Sequence, residues 1–463
     1  MSVAERDDRS LPQANTGTRA APIVAAASGI AALGGLLFGY DTGVVSAALL
    51  YIGPAFDLSN DMKQIVVSSL LIGALIGVVV GGPVADRVGR KPTLVTVSVV
   101  FACGAIGCAF TPNVPVLLGA RFVLGLAIGA SSLVVPTYIA EIAPKHNRGA
   151  LVSLHQLMIT VGILVSYLVG YAYSDSEQWR WMLGWAAGPA VLMFIGLFAL
   201  PESPRWFVAQ RRDDEARQVL LRIRTPEEAA AEQAELEQVI HAEAKLSYRD
   251  LLGRRYGRWV SVGMVAAATS QFVGVNAVIY YAPTILKEAG FGSSAAILAS
   301  VGIGTLNVLA TVVAVAFIDR LGRRPLILGG ASVVIASLVA IGILFLFPLR
   351  GAVGIGLVAM LIVYQSAFAV SLGMGIWLSN SELYPTSVRG KAASLGIASH
   401  WGPDLMVSVS VLTLISWITA TGVFWLYAAV GAVGVLYLRK WLPETKNRSL
   451  EEIEADLAER STG

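Results

Sequence analysis

Charged residues are scarce in this chain: Asp, Glu, Lys and Arg fill 14% of its 463 positions, against roughly a quarter in an ordinary soluble domain. Hydrophobic residues reach 55% and mean hydropathy is +0.67, which excludes a water-soluble globule of this size. The same balance excludes a disordered chain, and a net charge of +3 is too small for a nucleic-acid footprint. Cysteine is almost absent. Cys103 and Cys108 share one apolar segment, so they build no disulfide framework and say nothing of redox compartment. There is no G-x-x-x-x-G-K-[ST] phosphate loop, metal cluster, nucleophile–base constellation or cofactor fingerprint. ATP-driven pumping and catalysis therefore lack sequence support, and no cofactor, metal or enzyme activity is expected. Glycine, at 47 residues, is plentiful, as suits helices packed closely in lipid.

Runs of about 20 apolar residues, each long enough to span a bilayer, fall near 22–50, 64–84, 92–111, 114–140, 149–172 and 181–200. Six more fall near 258–286, 295–318, 325–348, 353–381, 391–416 and 421–439. The expected fold is an all-α integral membrane protein of twelve spans. It divides into a tail (1–21), a first six-helix bundle (22–200), a linker with short helices (201–256), a second bundle (257–440) and a closing tail (441–463). Within the linker, Glu227 to Ala244 reads as a solvated helix. Lys63, Arg180, Lys287 and Arg350 lie in the loops of one side, Arg121 lies inside a span, and the rest of the 34 basic residues lie on the other side. That bias places both termini and the linker in the cytoplasm of an inner-membrane protein. The first twenty residues read as a tail rather than a signal peptide.

The two halves repeat one another. Asp86-Arg-Val-Gly-Arg90-Lys after the second span returns as Asp319-Arg-Leu-Gly-Arg323-Arg after the eighth. Glu141-Ile-Ala-Pro-Lys-His-Asn-Arg148-Gly returns as Glu382-Leu-Tyr-Pro-Thr-Ser-Val-Arg389-Gly, and Pro201-Glu-Ser as Pro443-Glu-Thr. The offsets are 233, 241 and 242 residues (Asp86 to Asp319, Glu141 to Glu382, Pro201 to Pro443), which indicates a parallel duplication. Each motif sets a carboxylate beside a guanidinium at a helix end, where the two can pair. The expectation is a latch between halves made by Asp86, Arg90, Glu141, Arg148, Asp319, Arg323, Glu382 and Arg389. Two six-helix halves around a midplane site are an architecture for alternating access.

These motifs, with Gly34-Gly-Leu-Leu-Phe-Gly-Tyr-Asp41-Thr-Gly43, Pro201-Glu-Ser-Pro-Arg-Trp206, Gln271-Phe-Val-Gly-Val-Asn276, Tyr280-Tyr281-Ala-Pro283 and Pro443-Glu-Thr-Lys446, carry a resemblance. Over essentially its whole length the chain resembles the sugar porter family of the major facilitator superfamily. The resemblance implies the major facilitator fold and transport of a monosaccharide or polyol, a hexose foremost, either with a proton or by facilitated diffusion.

Charges inside spans are functional candidates whatever the family, because a lone charge in hydrocarbon is costly. They are Asp41, Arg121 and Asp404. Asp41 and Arg121 stand at similar depth and can pair. An opposite charge favours the ionised carboxylate and burial the protonated one, so alternating the two environments loads and releases a proton. Sugar porters resembling this chain carry Asp and Arg at the matching positions, and passive members generally have a neutral residue in place of Asp41, which favours symport. The alternatives are a uniporter and a sugar sensor; the roughly twenty residues after Trp441 are short for a sensor's signalling tail.

A sugar needs amides for its hydroxyls and rings for its apolar face. Gln156, Gln271, Asn276, Asn307, Trp377 and Trp401 occupy positions similar to sugar-contacting positions in the family, and Gly373 lies where the tenth span can bend. Tyr280 and Tyr281 are expected at the outer gate. The chain departs from the family pattern at Ser270, at Ile163, in a tenth span without prolines, and at His400 and Asp404. The last two, four residues apart, share a helical face and are expected to line the cavity, with Gly402-Pro403 loosening the helix between them. His155 is expected to pack, and Gly125 and Gly129 to bring helices close. The expected partners are a sugar, a proton and the bilayer, with the protein working as a monomer.

Overall fold

A computed structural model describes residues 17–144, 147–243, 248–251, 253, 256–288, 290–375, 383–384, 389–444 and 446. Among them there is no strand. In hydrocarbon every backbone N–H and C=O must be satisfied within its own segment, and long apolar helices do this. The first five spans are Gly17–Ala55, Asn60–Val88, Arg90–Ala109, Val114–Ile142 and Arg148–Ala172. The sixth consists of Trp179–Gly184 and Ala187–Phe198, the seventh of Gly257–Phe272 and Val275–Glu288. The eighth and ninth are Ser293–Leu321 and Arg323–Leu344, and the tenth starts as Ala352–Phe368. The run Arg389–Trp441 holds the last two, divided at Thr419 (φ 64°, ψ 165°). Twelve spans result, close to the expected limits. The linker adds short helices, of which Pro226–Glu243 matches the solvated helix read from the sequence.

The molecule presents its apolar side outward. In the second span Ile65, Ile72, Ile76, Val79, Val80, Val84 and Val88 are exposed at helical spacing, whereas Asp41, Arg121, Gln271, Asn307 and Asp404 are buried. Bilayer, rather than water, satisfies such a surface.

Close approach at glycine joins spans within the first half. A Cβ on Gly125 or Gly129 would run into the Leu70 or Ala74 carbonyl of the second span, and one on Gly73 or Gly77 into the Phe122 or Leu126 carbonyl of the fourth. Gly129→Leu is expected to force these two helices apart and destabilise the protein by about 3 kcal/mol. Thermal unfolding in detergent checks this, and an unaltered midpoint would mean that the contact can give way.

The seventh span breaks at Gly274 (φ +79°), and the freed Val273 carbonyl accepts a hydrogen bond from the Tyr364 hydroxyl at 2.9 Å. In the tenth span, which has no proline, a π turn runs over Ala369–Gly373; such turns widen a helix by one residue and often mark functional positions. At Gly402-Pro403 the proline removes one ladder bond, but the helical path continues. The helix runs through both and breaks at Thr419 instead.

At the end opposite the basic loops the halves are joined. The Gln64 amide donates to Thr413 Oγ1 at 3.1 Å and accepts from the Leu412 N–H at 3.1 Å. Ser294 Oγ donates to Asp175 Oδ1 at 3.1 Å. This end of the molecule is closed.

Candidate functional site

Between the halves, near mid-span, lies a small cavity lined by residues of both halves. The first span contributes Phe38 and Thr42, and the fifth Gln156, Ile159, Thr160 and Ile163. The broken seventh contributes Gln271, Val275, Asn276 and Ile279, the eighth Asn307, the tenth Gln365, Phe368, Ala369 and Gly373, and the eleventh His400. Amides thus share the chamber with two threonines, a histidine and one phenylalanine from each half. Asn307 Oδ1 and Gln365 Oε1 are buried without a hydrogen-bond partner. Buried acceptors are nearly always satisfied, so two orphans on one cavity wall suit a ligand rich in hydroxyl donors.

Of the residues expected from sequence, Gln156, Gln271, Asn276, Asn307, Gly373 and His400 come together here. Trp401 and Asp404, expected on the wall, stand behind it. Trp401 is fully buried; its indole N–H donates to Ser132 Oγ of the fourth span at 3.2 Å, and its ring centroid is 5.2 Å from that of Phe38. It joins the halves, and Phe38 presents the ring face. Asp404, with no exposure, lies beyond Asn276, whose amide it receives at 2.7 Å. Tyr280 and Tyr281 are buried in the segment packed against the first span, which lines the cavity through Val275, Asn276 and Ile279 instead. Trp377 and Glu382 lie outside the described residues, as do the side chains of Asp319 and Arg389. His155 is buried against Gly35 of the first span. Thr42, Thr160, Gln365, Phe38 and Phe368 escaped the sequence reading. Gln365, a lone amide in an apolar run, was the one with a visible signal.

Asp41 and Arg121 meet beside the cavity, Asp41 adjoining the lining residue Thr42. Arg121 Nη2 is 3.8 Å from Asp41 Oδ2, and both side chains are almost wholly buried. The guanidinium Nε donates to the Val66 carbonyl at 2.7 Å, while Arg121 Nη1 and Asp41 Oδ2 make no hydrogen bond. The two attract without the bidentate clasp that would fix them. Tyr280 sits within electrostatic reach of Asp41, Arg121 and Asp404.

The duplicated motifs at the basic end build matched helix starts. Gly89 (φ +109°) and Gly322 (φ +90°) precede the third and ninth spans, and a Cβ at either would collide with the carboxylate of Glu202 or Glu444. Glu202 accepts from the Arg90 and Lys91 N–H groups, each at 3.0 Å. Glu444 accepts from those of Arg323 and Arg324 at 3.0 and 3.1 Å. A carboxylate there answers the positive end of a helix. The ion pairs found among the described latch residues lie within the first half: Arg90 to Glu141 at 3.0 Å and to Asp86 at 3.1 Å. Their counterparts in the second half, Glu382 and the side chains of Asp319 and Arg389, lie outside the described residues. Arg148 opens the fifth span.

Burial raises the Glu202 carboxyl above its ordinary range, against the lowering effect of the backbone N–H donors from Ser203, Lys91 and Arg90. The folded protein then holds this proton more tightly than the unfolded chain. Stability linked to Glu202 falls as pH rises from the ordinary carboxylate value through the raised one. Glu202→Gln is expected to remove that slope from the pH dependence of the unfolding temperature, so that the variant, which resembles the protonated carboxyl, gains on the wild type as pH rises. An unchanged slope would show that the group does not titrate there.

The family of the sugar (and other) transporters matches residues 27–457. The glucose transporter GlcP of Staphylococcus epidermidis (strain ATCC 12228 / FDA PCI 1200) is 41% identical over 437 residues, covering 93% of this chain and 97% of that protein. The galactose-proton symporter of Escherichia coli (strain K12) is 38% identical over 432 residues, 92% of this chain and 93% of that one. Among solved structures, the major facilitator superfamily proton:xylose symporter XylE bound to 6-bromo-6-deoxy-D-glucose is 31% identical. It superposes with a TM-score of 0.84, covering 95% of this chain and 100% of that one. Twelve spans, a midplane amide cavity and these likenesses agree: the chain belongs to the sugar transporter family of the major facilitator superfamily, whose members are multi-pass membrane transporters and not enzymes.

Proposed function

We propose that this protein imports one monosaccharide or polyol, a hexose foremost, together with one proton by alternating access. It does so as a monomer in the inner membrane, with both termini in the cytoplasm. The observation that carries the reading is a buried amide cavity with orphan acceptors directly beside a loosely held Asp41–Arg121 pair. The amides engage hydroxyls as donors and acceptors, and Phe38 and Phe368 cover the apolar ring face. Similarity to proteins named for glucose, for galactose with protons and for xylose with protons supports both substrate class and coupling.

Asp41 is the proton carrier in this reading. Its protonation ends the attraction to Arg121, which keeps its bond to the Val66 carbonyl, and frees the first span to move. Phe38 and Thr42 of that span line the cavity, so the movement reaches the sugar. In the opposite state the contacts of Gln64 and Ser294 part, and the basic-end clusters of the two halves meet as the latch. Exchange of labelled D-glucose, D-galactose, D-xylose and myo-inositol in proteoliposomes tests the substrate class. One or two of these are expected to exchange, blocked by Gln365→Leu. No exchange of any of them would refute it.

A further inference from the structure

Asp404 is a carboxylate enclosed in the interior, and the groups that reach it are neutral donors: the Asn276 amide at 2.7 Å and Ser408 Oγ at 3.3 Å. Tyr280 of the seventh span is the titratable side chain facing it, with Arg121 and Asp41 beyond; His400 lies one turn away on its own helix. The amide bonds form a row. Asn276 Nδ2 donates to Asp404 Oδ2 and to Gln271 Oε1, the latter at 3.0 Å. Gln271 Nε2 then faces His400 Nδ1 at 3.1 Å and Ser270 Oγ at 3.2 Å.

The direction of this row follows from its far end. The nitrogen of Asn276, not its oxygen, faces Asp404, as an accepting carboxylate oxygen requires. The second hydrogen of that nitrogen requires the oxygen of Gln271, which turns the Gln271 nitrogen toward His400. His400 Nδ1 must accept, and its hydrogen is placed on Nε2. Asn276 keeps its oxygen for the cavity, whereas Nε2 of His400 is enclosed. An amide at 404 would permit the row to run either way.

We propose that Asp404 is a positioning residue that fixes the donor–acceptor polarity of the cavity wall, and with it which sugar hydroxyls must donate and which must accept. The proposal rests on the sugar-transport reading for its consequence but not for its geometry, so two measurements separate them. The first is ¹⁵N NMR of the histidine-labelled full chain in nanodiscs, where the His400 signals among those of four histidines are identified by their loss in His400→Gln. Wild type is expected to show Nε2 protonated and Nδ1 bare, and Asp404→Asn a mixture of tautomers. A proton on Nδ1 in the wild type overturns the proposal, whether or not the variant folds; so does a folded Asp404→Asn with an unchanged spectrum.

The second is exchange with deoxy and deoxyfluoro analogues of D-glucose, D-galactose and D-xylose. Fluorine cannot donate, so at the hydroxyl facing Asn276 the fluoro sugar is expected to bind about tenfold more weakly than its parent. Asp404→Asn should shrink the difference to within about threefold, with Asp404→Glu restoring part of it. Equal discrimination in wild type and Asp404→Asn overturns the proposal. If no sugar in the series exchanges, the transport reading fails, and the histidine spectrum alone decides the polarity.

Discussion

Asp41→Asn is expected to abolish accumulation of sugar against its gradient while leaving exchange at equal concentrations intact. The substitution keeps the shape and removes the site for the proton. Each elementary charge moved across the membrane gains about 2.3 kcal/mol per 100 mV, which sustains a roughly 50-fold accumulation; the variant should settle near unity. Exchange survives because it needs the sugar-loaded carrier alone, and the cavity residues are untouched. Uptake of the labelled sugar into energised vesicles gives the comparison. Accumulation retained in Asp41→Asn would move the proton to another group. Asp404 is the other fully buried acid among the described residues.

The second large effect is expected at Asn276. Asn276→Leu removes the amide that serves Asp404, Gln271 and the cavity together. It leaves a carboxylate buried with Ser408 as its remaining hydrogen-bond donor, and it takes an acceptor from the substrate. The lost bond to sugar amounts to about 1.4 kcal/mol, so the half-saturation concentration should rise roughly tenfold, while the unpartnered acid destabilises free and loaded protein alike. The maximal rate of exchange should fall less. A variant with wild-type affinity would show that Asn276 packs against the cavity without engaging sugar.

The twelve spans and their duplication were legible because bilayer thickness sets a length and the repeated D-R-x-G-R-[KR] and P-E-[ST] motifs set a register. The Asp41–Arg121 pair was legible because charges in apolar helices are rare and few pairings are possible. The wall of the cavity was legible only in part. The family resemblance casts Trp401 as a sugar platform, yet its position depends on how the eleventh span turns against the fourth, and the Ser132 hydroxyl draws its N–H away. Gln365 looks like helix-to-helix glue until the π turn at Ala369–Gly373 shows where the tenth span bends. Asp404 could be flagged as unusual, but its place one layer behind Asn276 follows from the break at Gly274, which local patterning does not reveal. Glu202 and Glu444 were visible as a repeated pair; that they cap the third and ninth spans needed the fold.

The central claim is that sugar and proton cross together through one cavity. Proton movement in proteoliposomes free of any imposed gradient tests it most directly. Adding the exchanging sugar outside should turn the external medium alkaline as protons enter with it, and Asp41→Asn should give sugar entry without alkalinisation. Sugar entry in the wild type with no change of external pH would contradict the account: the protein would then be a uniporter, and Asp41–Arg121 a static pair between two helices.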